Sequence, residues 1–116
     1  MAKLPNGEQA IVPLEKFTEY ALNPEHPTGR HKARVFNAVL GLTLDDAPFL
    51  QATVQHIAET GDAVPQEPTP YGQRYVIDFE LTTDSGTGIV RTAWLIRNDE
   101  DVPRLTTCYV IEDVAE

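Results

Sequence analysis

The sequence predicts an α+β fold: three N-terminal helices followed by a three- to four-stranded antiparallel β-meander. Three observations point there. Apolar residues recur at helical spacing through residues 13–60, and the period switches to two from residue 73 onward. Between them lies a proline-rich stretch, GDAVPQEPTPYG, at residues 61–72. Segregated runs of this kind mean helices stacked on an antiparallel sheet. A chain of 116 residues suits one domain, with a helical layer (13–60), a connector (61–72) and a sheet (73–111).

Taken in order, residues 1–8 read as a lead-in with a turn at Asn6-Gly7, and residues 9–12 as a short edge strand. That strand is one source of the fourth. Pro13 ends it and opens a first helix to about Leu22, where a missing N–H costs nothing. Leu14, Phe17, Ala21 and Tyr20 form its apolar stripe, and Asn23-Pro24 stops it. The second helix follows the turn His26-Pro27-Thr28-Gly29, with Thr28 as N-cap and Gly41 as C′ residue. Ala33, Phe36 and Leu40 make its apolar face, flanked by Val35 and Val39. Arg30, Arg34 and Asn37 point away from that face. Lys32 falls on the apolar side, where its stem packs while the ammonium reaches outward.

The third helix spans about 46–60, capped by Asp45 or Asp46, with Pro48 in its first turn and Gly61 at its end. Phe49, Leu50, Val54 and Ile57 are its expected buried face. In the sheet, Tyr75, Ile77, Phe79 and Leu81 alternate with Arg74, Val76, Asp78 and Glu80. Asp84-Ser85-Gly86 turns the chain into residues 89–97, with Val90, Trp94 and Ile96 on one face. A polar loop leads to a third strand at 104–111, and residues 112–116 read as an acidic tail.

Composition narrows the function. Asp and Glu number 18 against 9 Lys and Arg, a formal charge of −9. That balance argues against indiscriminate nucleic-acid binding, which needs a broadly basic surface. It suits a basic partner, or a small basic cleft on an acidic body. No apolar run reaches the roughly 18 residues of a membrane helix. Residues 1–10 lack a signal-peptide pattern, so a cytoplasmic setting is expected. Cys108 stands alone, without a metal-binding Cys/His pattern, and reads as a small core residue. Neither cofactor nor metal is expected.

The residues that stand out are Arg30, His31, Lys32 and Arg34, four basic side chains within five positions. Cations at a helix start oppose its dipole, so a reason for them is needed. Together with free N–H groups they suit phosphate. His31, set among cations, is a candidate base. His26 reads as structural and His56 as a bystander. Arg74, Arg91 and Arg97 alternate onto the polar sheet face, Arg104 opens the last strand, and Thr107 and Tyr109 follow. Such a row can neutralise a phosphodiester and donate hydrogen bonds to it. The plainer alternative is structural, with Arg91 pairing across strands with Asp78 or Glu80.

Two blocks, NPEHPTGRHKARVF (residues 23–36) and PRLTTCYV (residues 103–110), stand with LPNGEQAIV and YGQRYVIDF between and before them. On these blocks the chain resembles, nearly end to end, an uncharacterised bacterial domain family. Its members occur as small free-standing proteins and at the C-termini of large polymorphic toxins. The toxin context implies a nuclease, and the layout is similar to the barnase, EndoU, colicin and RelE group of metal-independent ribonucleases. Carried onto this chain, the resemblance implies that His31 or Lys32 acts on the 2′-hydroxyl proton. Arg74 and Arg91 would stabilise the phosphorane, and Thr107 or Tyr109 would orient the phosphate or serve the leaving group. Arg30, Arg34, Arg97 and Arg104 would hold RNA. The implied partners are a structured RNA such as tRNA and a small protein antitoxin or immunity protein. The alternative is a noncatalytic acidic protein that recognises a basic partner.

Overall fold

The structure is a computed structural model that describes residues 2–111, so the acidic segment 112–116 lies outside it. Helix α1 (Arg30–Leu40) buries Ala33, Phe36 and Leu40, one stripe at the expected spacing. It stops at Gly41, whose φ of 68° is left-handed and costs little without a Cβ. The start differs from expectation. Gly29, not Thr28, holds the cap position and no side chain there caps the helix. The His26 Nδ1 instead accepts the N–H groups of Thr28 and Gly29 at 3.0 and 2.9 Å. The imidazole thus fixes the turn just ahead of the helix, and the His26 carbonyl accepts the Arg30 N–H at 3.0 Å.

Helix α2 (Ala47–Thr60) buries Ala47, Leu50, Val54 and Ala58. Phe49, expected inside, is 48% exposed, because it stands one position (about 100°) off that stripe. Upstream of α2, Thr43 and Asp46 form a capping box around the short turn Leu44–Asp46.

The expected first helix is present but short, over residues 15–21. Its last five residues, Phe17–Ala21, form a π turn closed by the Leu22 N–H on the Phe17 carbonyl at 2.9 Å. So short a helix has little stability of its own. The wide turn instead lets Phe17, Ala21 and Leu22 all face the core, while Leu14 is left exposed.

The sheet is four-stranded and antiparallel, in the order β1 (Val64–Pro65), β2 (Gly72–Thr83), β3 (Gly86–Arg97), β4 (Arg104–Val110). The fourth strand comes from the connector, not from the N-terminus: Val64 pairs with Val76 on the edge of β2. The N-terminal segment meets the opposite edge through one parallel bridge, Ile11 to Arg104. It is held there by α2, whose Gln51 and Gln55 side chains donate to the Val12 and Ala10 carbonyls at 2.7 and 2.9 Å.

On the inner face Ile77, Val90, Thr92, Trp94, Leu105, Cys108 and Val110 meet the helices. α1 packs mainly on β4 and β3, and α2 on β2. The outer face carries Arg74, Asp78 and Glu80 beside Ile89, Arg91 and Arg97. β3 and β4 pair with a bulge opposite Ala93 and Trp94, where Thr106 is the extra residue and its hydroxyl donates to the Ala93 carbonyl at 3.1 Å.

Thr92 is the one fully buried polar side chain among the described residues. Its hydroxyl donates to the Ile77 carbonyl at 2.9 Å and accepts the Trp94 indole N–H at 2.8 Å. Thr92→Val strands that indole donor, and about 1–3 kcal/mol of stability should be lost. Urea denaturation should show a lower midpoint at unchanged m-value, with Thr92→Ser closer to the parent. A midpoint unmoved in Thr92→Val would contradict this account of the core.

Candidate functional site

Half of Lys32 is buried against the sheet edge, and its ammonium emerges between two tyrosines. Nζ lies 2.9 Å from the Tyr20 hydroxyl and donates to it. It also stands 5.0 Å from the Tyr20 ring centre and 5.5 Å from that of Tyr109, close enough for both rings to attract it. The contact depends on a close approach of backbone. A Cβ on Gly29 would come 2.3 Å from the Tyr20 carbonyl oxygen, so only glycine lets α1 start this near the π turn.

The β4 bulge supplies the facing wall. Strict alternation along β4 would put Leu105, Thr107 and Tyr109 on one face. With Thr106 inserted, Leu105 stays inside with Cys108 and Val110, while Thr107 and Tyr109 turn outward opposite Ala93 and Arg91. Arg91 is held by Asp78 through two bonds of 2.8 and 2.9 Å. That pair raises Arg91 further above its ordinary value, with a smaller contribution from the nearby Tyr109 phenol, which makes no well-aligned bond to it. The pair is about 40% exposed, so it orients the guanidinium more than it stabilises the fold.

Tyr20 is the residue sequence reasoning passed over. It sits twelve positions before Lys32, in a segment read as plain amphipathic helix, and no local pattern marks it. The Lys32 ammonium lowers its phenol below the ordinary value of 10.0 against the opposing effect of burial, helped by the hydroxyls of Thr28 and Thr107. Thr107 Oγ1 is fully buried without a hydrogen-bond partner. Its effect on Tyr20 is therefore that of a nearby dipole.

At the mouth of the groove, the Arg34 guanidinium lies 2.9 Å from the His31 Nδ1. Arginine can only donate, so in this contact Nδ1 is the acceptor. The groove is lined by His31, Lys32, Arg34, Ile89 and Tyr109 among others, and none of its lining residues is a carboxylate.

The remaining expected residues are dispersed. Arg30 is exposed on the flank of α1 that faces a separate cavity. Arg74 is in register with Leu95, and Arg91 with Asp78. Four residues of strand thus separate Arg74 from Arg91, roughly 14 Å. The two are not brought to one phosphate. Arg104 is paired with Glu100 at 2.9 and 3.0 Å, which lowers that carboxyl. Arg97 is exposed at the far end of β3, beside the same glutamate. Cys108 is buried and its thiol is pushed up to about 12, so it is inert. No described helix is long and apolar enough to cross a membrane.

A family model described as "Domain of unknown function (DUF6883)" matches residues 3–112. No curated protein and no solved structure matches the chain.

The Lys32–Tyr20 contact has a measurable consequence. Absorbance titration near 295 nm should show one tyrosine ionising below its ordinary value, and Lys32→Met should return it toward that value. A depressed folded-state value means the ionised phenol is favoured by the fold. Its contribution to stability is therefore complete above the unfolded value and lost as pH falls through the lowered one. Four tyrosines titrating alike in the parent would rule the contact out in solution.

Proposed function

The chain belongs to this family of unknown function, and we propose that it is a toxin-like, metal-independent ribonuclease that cuts a structured RNA such as tRNA. The toxin context and the ribonuclease-like layout implied by the sequence blocks belong to this proposal, and the layout is an analogy of fold. One observation carries it: a cationic groove free of lining carboxylates, on a chain of charge −9, with Lys32 set between two phenols. Such a groove concentrates an anion that the rest of the surface repels.

In this reading the scissile phosphate sits over Lys32, which neutralises charge as the phosphorane forms. The 2′-oxygen attacks phosphorus and the 5′-oxygen leaves, giving a 2′,3′-cyclic phosphate. The Tyr20 phenolate, the form that the Lys32 ammonium stabilises, accepts the 2′-hydroxyl proton. His31, with Nδ1 occupied by Arg34, presents Nε2–H as a donor, and Tyr109 Oη protonates the leaving oxygen. Arg91, held by Asp78, stands opposite Tyr109 on the neighbouring strand and adds positive charge beside it. Arg74 and Arg97 contact RNA away from the cut, and Arg104 is taken up by Glu100.

A second reading has its own support. Asp78 and Glu100 occupy Arg91 and Arg104, which removes two sheet-face cations from phosphate binding. This favours a noncatalytic acidic protein, such as an antitoxin or immunity protein, bound to a basic partner.

Tight induction in bacteria, with total RNA examined in the first minutes, separates the two. The ribonuclease reading expects growth arrest and discrete fragments of structured RNA bearing 2′,3′-cyclic phosphate ends. Lys32→Ala and Tyr109→Phe should each slow cleavage by about 10²–10³-fold, with circular dichroism and urea midpoint near the parent for Tyr109→Phe. Intact RNA from an abundant folded protein would reject the nuclease and leave the binding protein.

A further inference from the structure

On the other side of the His31–Arg34 crest of α1 lies a second cavity of about 550 Å³. Leu22, Pro24, Leu42 and Leu44 wall it, and Arg30, Arg34 and Asn37 edge it, with no carboxylate among its lining residues. We infer that this cavity receives one nucleotide of the RNA, base against the leucine wall and phosphate between Arg30 and Arg34. The inference rests on the ribonuclease reading and names how its substrate is held.

Four observations converge on that chemistry. Arg30 and Arg34 are four residues apart on one helix, so their Cβ atoms stand about 6 Å apart on the same side, and guanidinium forks match phosphate oxygens in pairs. Neither arginine has a carboxylate partner among the described residues. Leu44 is 43% exposed at the rim, an apolar surface that a base would cover. The Asn37 amide makes only a 3.5 Å contact with the Leu42 carbonyl, which leaves it able to turn either edge toward a base. A bare inorganic anion has no use for the leucine wall. An aliphatic carboxylate has no use for the amide and satisfies one fork only. A nucleotide uses the wall, the amide and both forks.

Continuity adds a reason of its own. His31 and Arg34 line both the groove and this cavity. A single strand crossing the crest therefore lays one phosphate in the groove and delivers its neighbour's base to the cavity.

The test is amide-resolved NMR titration of the full chain with adenosine 5′-monophosphate, and in parallel with adenosine, with inorganic phosphate and with octanoate as an aliphatic carboxylate. The expected result is shifts at Ala33, Asn37 and Leu44, with the nucleotide bound at least about 10-fold more tightly than either fragment. Arg30→Ala should weaken it by about 10-fold or more, as loss of a charge-assisted pair does. Leu44→Ala should weaken it several-fold; both sites are exposed, so both variants should fold. Phosphate binding as tightly as the nucleotide, tighter binding of octanoate, or no response at these residues would overturn the inference. Nucleotide binding by a chain that leaves RNA intact keeps the pocket and removes the nuclease, whereas RNA cleavage without nucleotide binding removes the pocket alone.

Discussion

β4 contains one residue more than its pairing needs, and the rest of the site depends on where that residue goes. Thr106 is placed in a bulge and satisfied by the Ala93 carbonyl. On one side of it Leu105 packs inward, and on the other Cys108 and Val110 do. The core thus keeps an unbroken apolar face although the sequence LTTCYV does not alternate cleanly. The same half-turn sends Thr107 and Tyr109 outward. Bulges re-aim side chains at sheet edges in this way, and here the Tyr109 ring on the edge strand comes within 5.5 Å of the Lys32 ammonium from the helix that carries clustered cations.

That helix is pinned at both ends. At its N-terminus Gly29 allows contact with the Tyr20 backbone and His26 satisfies the Thr28 and Gly29 amides. At its C-terminus the Thr83 hydroxyl donates to the Leu40 carbonyl at 2.7 Å, tying α1 to the β2–β3 hairpin. Lys32 is consequently held at a chosen height above β4. A lysine that merely snorkelled would have its ammonium free in solvent; this one is hydrogen-bonded and flanked by two rings. The geometry makes Lys32 and Tyr20 a coupled unit, and the cluster of cations at the helix start loses its electrostatic oddity. The dipole penalty there is a few tenths of a kcal/mol per charge, small beside the attraction such a group exerts on an anion in a groove without carboxylates.

Charge is distributed with the same logic. Among the described residues two basic side chains, Arg91 and Arg104, form ion pairs with carboxylates, across the sheet and in its loop. Arg30, Lys32 and Arg34 have none among the described residues. The groove and the neighbouring cavity share a crest formed by His31 and Arg34, so these three cations stand within about one turn and a half of helix.

Much of this molecule was determined by local pattern. The period change at residue 73, the stripes of α1 and α2, the left-handed Gly41 and the segregated α+β order all follow from residues close in sequence, and so do the basic cluster and the structural role of His26. What the tertiary structure decided has a common physical cause: it involves partners distant along the chain. The first helix is shorter than expected and ends in a π turn, which lets Phe17, Ala21 and Leu22 all face the core. The fourth strand came from the connector because β2 had a free edge there, while α2 glutamines held the N-terminal segment at β4. Phe49 faces solvent because the stripe that meets the core runs through Leu50. Thr107 and Tyr109 turn outward because of a bulge that no local signal marks. Tyr20 meets Lys32, and Arg74 stands apart from Arg91, only through packing and register. A sequence displays which side chains have the chemistry; distance and register decide which of them share a site.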